Sequence, residues 1–272
     1  MNSSRLLWRT TGLVAVLSTL LFLFGFVYAV KSIWYPSAGE PAISREKPVE
    51  ANPLLSSDKI QIVALGDSLT KGQGDITGEG YVGKVKKRLE SATGKDVYVW
   101  NYAVGGLRTS QLLDYIYNDN GEIPQSIQKA NLVFVTIGGN DLFQFGFGSA
   151  AATNSDSLEI DFDSVAQQMP DALERLERIL NRIAELNPKA RIIYVGLYHP
   201  FLDFDSVGQG SLLLHEWNHH ATSLSTKLHN LTVVPTYDLF ETYLTKYLAN
   251  DHFHPNEDGY ERMAERVMQV LE

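Results

Sequence analysis

Cysteine is absent from all 272 residues, which excludes disulfides and a lipobox-type lipid anchor. Positive charge is also scarce. Five of the 23 Lys and Arg and four of the 32 Asp and Glu lie up to Asp58, leaving 18 basic and 28 acidic residues beyond it, net −10. A balance of that sign argues against a nucleic-acid surface and gives no electrostatic reason to bind anionic lipid; it is enough to keep a domain soluble. No internal repeat is present. Charge of either sign is missing altogether from residues 10–30.

That uncharged stretch matches a bilayer-spanning helix of about 20 residues. Arg5 and Arg9 precede it, which favours an N-terminus in the cytoplasm and the remainder outside it, although Lys31, Arg45 and Lys47 follow on the other flank. The apolar run exceeds the roughly 7–15 residues of a signal-peptide core, and no small-x-small cleavage site follows it. The expected organisation is a cytoplasmic N-terminus over 1–11, a single-pass transmembrane anchor over 12–30 in the cell membrane, a flexible linker over 31–58 and an extracytoplasmic domain over 59–272. Secretion after cleavage is the alternative. The linker carries Pro36, Pro41, Pro48 and Pro53 and no apolar period; if flexible, its ends sit about 30 Å apart.

Beyond the linker, β-type apolar runs recur at 60–65, 97–100, 132–137, 191–196 and 231–235, with helical periods between them. In the clearest, Val165, Met169, Leu173, Leu176, Leu180 and Ile183 recur at spacings of three and four, predicting a helix over 165–186. A last helix fits 260–271. Alternating strands and helices predict a three-layer α/β/α domain with a mostly parallel five-stranded sheet. The stretch 143–160 is the least regular, rich in glycine and aromatics and then polar, and it interrupts the link after the third strand.

The first apolar run ends in VALGDSLTKG, residues 63–72. In an open α/β sheet ligands bind outside the carboxyl ends of the strands, so Ser68 is placed like a nucleophile. Asp and Ser after a strand also serve as ordinary turn and cap residues. The second and third strands are followed by glycine-bearing turns, NYAVGGLRT over 101–109 and GGND over 138–141, and the chain later carries DHFHP over 251–255. Parallel strands end on one side, so one edge can gather a hydroxyl, an imidazole, a carboxylate, backbone N–H groups and a carboxamide. Acyl transfer needs that set.

These four blocks in this order, GDS at Gly66 to Ser68, the Gly106 turn, GGND at Gly138 to Asp141 and D-x-x-H at Asp251 to His254, resemble the SGNH/GDSL hydrolase family over essentially the whole domain. The resemblance implies a flavodoxin-like fold and a serine esterase or lipase-like acylhydrolase that needs no cofactor or metal. It implies Ser68 as nucleophile, His254 as base and Asp251 as its orienting carboxylate. The backbone N–H groups of Ser68 and Gly106 and the Asn140 amide would form the oxyanion hole, with Gly105 as the alternative to Gly106. Asp67 and Asp141 would brace the turns. Lipid-like acyl esters or thioesters and O-acetylated envelope glycans are both compatible substrates.

A rival motif is HEWNH at His215 to His219, the zinc-peptidase spacing of two helical histidines with Glu216 between. It falls in an expected helix over 211–228, with Glu241 as candidate third ligand. The metzincin extension is missing, and solvated helix histidines are the simpler expectation. A non-catalytic envelope binding module would leave the coincidence of Ser68, Asn140, Asp251 and His254 unexplained. His252 neighbours His254, but the D-x-x-H spacing selects the latter. Phe143, Phe145 and Phe147 are candidates for an acyl pocket and equally for core packing. Tyr198 is a candidate at the cleft border, beside His199.

Overall fold

The computed structural model describes residues 3–34, 58–118, 120–146 and 161–271. The chain divides into two units, Met1–Glu50 and Ala51–Glu272. In the first, helix α1 (Ser3–Trp34) follows from the run of Leu, Val and Phe. Its span Leu7–Lys31 reaches a mean hydropathy of 2.5 and is long and apolar enough to cross a membrane. Of the linker expected over 31–58, residues 31–34 instead continue α1, and 35–57 lie outside the described residues.

In the second unit five strands form one parallel sheet in the order β2-β1-β3-β4-β5: β1 (Lys59–Gly66), β2 (Asp96–Asn101), β3 (Leu132–Thr136), β4 (Arg191–Val195) and β5 (Leu231–Val234). All four neighbouring pairs are parallel. The strands that read as continuous apolar runs are those buried on both faces. Side-chain alternation divides them between two cores. Val63, Leu65, Val133, Val135, Ile192 and Tyr194 join the core that includes Leu112, Leu176, Ile179 and Trp217. Ile60, Ile62, Ala64, Phe134, Ile193 and Val195 join the other, with Tyr81, Val85, Met263 and Val267. This is the three-layer α/β/α architecture the alternation of elements predicts.

The helices are α2 (Ser68–Lys71), α3 (Gly80–Thr93), α4 (Thr109–Tyr117), α5 (Glu122–Ile127), α6 (Gly139–Gly146), α7 (Phe162–Leu186), α8 (Gln209–Leu224), α9 (Tyr237–Glu241), α10 (Leu244–Tyr247) and α11 (Glu257–Leu271). Helix α7 begins three residues before its apolar period, because the Asp161 side chain accepts the Ser164 N–H at 3.0 Å and caps it. Helix α8 stops four residues short of the expected end, where 225–228 turn in bonds to Thr222, Ser223 and Leu224. The stretch 143–160 is not irregular throughout: its first four residues complete α6.

Sheet order sets the position of the site. The chain leaves β1 for β2 on one side and returns to β3 on the other, so the loops after β1 and β3 part at the carboxyl edge. Ligands bind at such a switch point in open α/β sheets.

Candidate active site

The turn after β1 is tied down before it reaches Ser68. Gly66 has φ 130°, and a Cβ there would lie 1.8 Å from the Thr136 carbonyl oxygen; only glycine lets β1 end this close to β3. Asp67 N–H then donates to Thr136 O at 3.2 Å. The Asp67 carboxylate accepts from Leu69 N–H at 3.0 Å and from the Thr136 hydroxyl at 2.8 Å. Asp67 is therefore the cap of α2, and the cap role left open for Ser68 belongs to its neighbour. Burial pushes the Asp67 carboxyl up to about 7, against the lowering effect of these hydrogen bonds.

Ser68 begins α2, and its Oγ lies 2.8 Å from His254 Nε2. The other ring nitrogen, Nδ1, lies 2.7 Å from Asp251 Oδ2. With the carboxylate accepting from Nδ1–H, Nε2 is left to accept the serine proton. Asp251 also closes its own turn, since its Oδ1 accepts the N–H groups of Phe253 at 3.0 Å and His254 at 2.9 Å. Burial raises the Asp251 carboxyl, but the bonds from the His254 ring and the two backbone N–H groups outweigh it and hold the group below its ordinary value. His252 sits in this turn with φ 54°, a left-handed conformation uncommon outside glycine. Ser68 and His254 are buried, whereas the Asp251 side chain is 43% exposed.

Two loops face this triad. Gly106 takes φ 78° in a turn held by Val104 N–H to Gly66 O at 2.9 Å and Leu107 N–H to Val104 O at 3.1 Å. Asn140, in the first turn of α6, donates its amide to Leu107 O at 3.0 Å. One residue on, Asp141 accepts from Thr109 N–H at 2.9 Å and the Thr109 hydroxyl at 2.6 Å. Arg175 of α7 reaches both, with Nε donating to Thr109 Oγ1 at 2.8 Å and Nη2 lying 3.5 Å from Asp141 Oδ1. The Gly106 and Asn140 loops are thus locked into one frame.

Ser68, Gly106, Asn140, Asp251 and His254 line one open cleft with Gln73, Phe143, Phe201 and Phe253. Beside it a narrower slot runs between Ser68, Asn140, Phe143, Leu197, Tyr198 and Phe253. The Tyr198 ring stacks on Phe240 at 4.0 Å and its hydroxyl donates to Phe253 O at 2.6 Å. Phe143, Phe201 and Phe253 meet edge to face or tilted, with centroids 5.5 to 6.0 Å apart. Gly106 rather than Gly105 is among the cleft residues. Nothing is described of the Phe145 side chain, and Phe147 lies outside the described residues.

Residues 64–262 match the GDSL-like lipase/acylhydrolase family. The chain belongs to that family. The chain is 34% identical over 232 residues to the uncharacterized protein YpmR of Bacillus subtilis strain 168, covering 84% of this chain and 88% of that one. It is 28% identical over 209 residues to the spore germination lipase LipC of Bacillus licheniformis, covering 76% and 94%. Among solved structures, a lipase from goat rumen metagenome, Lip_vut3, is similar with TM-score 0.67 and 26% identity, covering 79% of this chain and all of that one. The protein is a GDSL lipase/esterase-like hydrolase.

In this GDSL hydrolase the HEWNH segment has a different use from zinc binding. His215 and His219 lie on the exposed face of α8, and the His215 ring packs at 4.6 Å on Tyr237. Among the described residues, no three His, Asp or Glu side chains gather as metal ligands, so Glu241 does not complete a site with them. Between the histidines, Trp217 and Asn218 turn inward while Glu216 is exposed. Trp217 is fully buried and its Nε1–H donates to the Tyr194 hydroxyl at 2.7 Å, which donates in turn to Ile137 O at 2.7 Å. Asn218 clamps Leu197 of the slot from both sides, accepting from its N–H at 2.9 Å and donating to its carbonyl at 2.8 Å.

Sequence reasoning missed Gln73, Phe201 and Phe253 as cleft residues. Phe253 could have been found, since it is the residue immediately before His254. Phe201 follows the Tyr198 segment by three residues, whereas Gln73 carries no local signal. His199 is buried behind the aromatic cluster, where its Nε2 lies 3.2 Å from Asp205 Oδ2 and its Nδ1 accepts the Phe201 N–H at 3.2 Å. Burial lowers its basicity against the raising effect of Asp205.

Proposed function

We propose that this GDSL hydrolase is a serine esterase that cleaves carboxylic esters through an acyl-enzyme. The observation that carries the reading is the chain of contacts from Ser68 Oγ to His254 Nε2 to Asp251, at 2.8 and 2.7 Å. Ser68 Oγ attacks the ester carbonyl as its proton passes to Nε2. Negative charge grows on the carbonyl oxygen and is met by the N–H groups of Ser68 and Gly106 and the Asn140 amide. His254 then returns the proton to the leaving alcohol, and a water deprotonated by the same nitrogen frees the acid. Asp251 holds the ring's tautomer and stabilises the imidazolium that forms at each step.

The acyl chain occupies the slot beside Ser68, against Phe143, Leu197, Tyr198 and Phe253. That lining supports a hydrocarbon chain over an acetyl group alone, and lipid-like esters are accordingly the substrate class we favour; the similarity to a spore germination lipase agrees with it. The apolar α1 helix, with Arg5 and Arg9 before it, supports a single-pass membrane anchor with the hydrolase domain outside the cytoplasm.

The test is hydrolysis of p-nitrophenyl esters by the full chain in detergent, beside Ser68→Ala and with and without EDTA. Loss of turnover in Ser68→Ala with no effect of chelator is expected. Wild-type rates in Ser68→Ala would overturn the assignment.

A further inference from the structure

A second apolar cavity lies behind the slot. It is narrow, with free room for about one water molecule, and its described lining is Leu142 of α6, Phe162 and Val165 of α7, and Gly210, Leu213 and Leu214 of α8. Its lining and that of the slot have one described side chain in common, Phe143, which also lines the open cleft. Phe143 is 7% exposed, and its ring is held edge-on by Phe201 and Phe253 and lies 6.2 Å from the His199 ring. Apart from the Gly210 backbone, the described lining is hydrocarbon.

We propose that the Phe143 ring sets acyl-chain length by closing the slot beside Ser68 on the side of the narrow apolar pocket between α6, α7 and α8, so that longer chains find room there only when the ring is removed. The inference rests on the slot being the acyl site. Its physical content is simple. A methylene that finds apolar cover gains about fourfold in kcat/KM, equivalent to about 0.8 kcal/mol, while a methylene that meets the ring gains nothing. Removing the ring joins the two spaces at the cost of opening the aromatic cluster. The ratio of rates between long and short chains should then change, whatever happens to the absolute rate.

The experiment compares kcat/KM for p-nitrophenyl esters from acetate to palmitate in wild type, Phe143→Ala and Phe143→Leu, using full chain in detergent. Reactive Ser68 is counted in each by titration with a fluorophosphonate, so that rates refer to folded sites. Phe143→Ala is expected to raise the ratio of dodecanoate to butyrate at least about tenfold, and Phe143→Leu to raise it less. Adding Leu213→Trp to Phe143→Ala, which refills the rear pocket, is expected to bring the ratio back toward wild type. An equal fall at every chain length in both Phe143 variants overturns this role of the ring while leaving the esterase reading intact. A wild-type protein with no Ser68-dependent hydrolysis of any ester in the series overturns the reading itself.

Discussion

The indole of Trp217 fills the space that a side chain on Gly138 would need: a Cβ built there would lie 2.1 Å from the Trp217 ring, and Gly138 has φ 115°. Gly138 immediately precedes α6, so this contact fixes where the helix bearing Asn140 begins. Gly138→Ala is expected to displace that helix and lower kcat by about 10–100-fold with little change in KM, since a shift near 1 Å in a catalytic frame can cost about that much. Steady-state kinetics check it. A defect confined to a raised KM would count against this role for the contact.

Asn140→Ala removes a proposed oxyanion donor and the anchor to Leu107 O. The expected loss is about 10²–10³ in kcat. Fluorophosphonate labelling of Ser68 should slow in parallel, whereas an unchanged labelling rate would place the defect outside the oxyanion site.

Asp141→Ala leaves the buried N–H of Thr109 without its carboxylate acceptor and the Arg175 guanidinium without its ion-pair partner, bonded to Thr109 alone among the described residues. An unsatisfied buried donor costs roughly 1–3 kcal/mol, and the Gly106 and Asn140 loops lose their tie. Both the midpoint of thermal unfolding and kcat are expected to drop. A variant with full activity and unchanged stability would show that the frame does not depend on this carboxylate.

The turn that bears Ser68 carries its own pH dependence. The Asp67 carboxyl rises from an ordinary 3.8 to about 7 on folding, so folding takes up a proton between those values. The stability this gives is complete below about pH 4, declines through the window and is gone above about pH 7. Asp67→Asn keeps an acceptor for Leu69 and Thr136 without the charge. Its stability relative to wild type is therefore expected to improve from pH 4 to 7, by at most about 4 kcal/mol at about 1.4 kcal/mol per pKa unit. Denaturant titrations at several pH values measure this, and a difference flat with pH would refute it.

The residues legible in the sequence are those whose chemistry is local. Ser68 and Asn140 follow apolar strands within a few positions, so the end of a run announces them, and Asp251 and His254 are three apart in one turn. Helix α7 is legible because 25 residues display its apolar period. Helix α6 is not, because eight residues of GNDLFQFG show glycine and phenylalanine before they show a period. The role of α8 was hidden for a different reason: its two histidines form a recognisable pair on the solvent face, while Trp217 and Asn218 act through partners on β4 and the loop after it, contacts that no spacing encodes. Gln73 and Phe201 reach the cleft through the path of loops, which is likewise a tertiary property.

Ser68 and His254 stand 186 residues apart in the chain, and four of the five strands are made between them. A ribosome that has delivered Ser68 has still to deliver β2 to β5 before its proposed base, His254, exists. Until β5 and the turn after it are in place, Ser68 is an ordinary alcohol at the end of one strand. If Ser68 acts as proposed, the order of elements is a clock that keeps the newborn chain chemically silent toward esters until its sheet is complete.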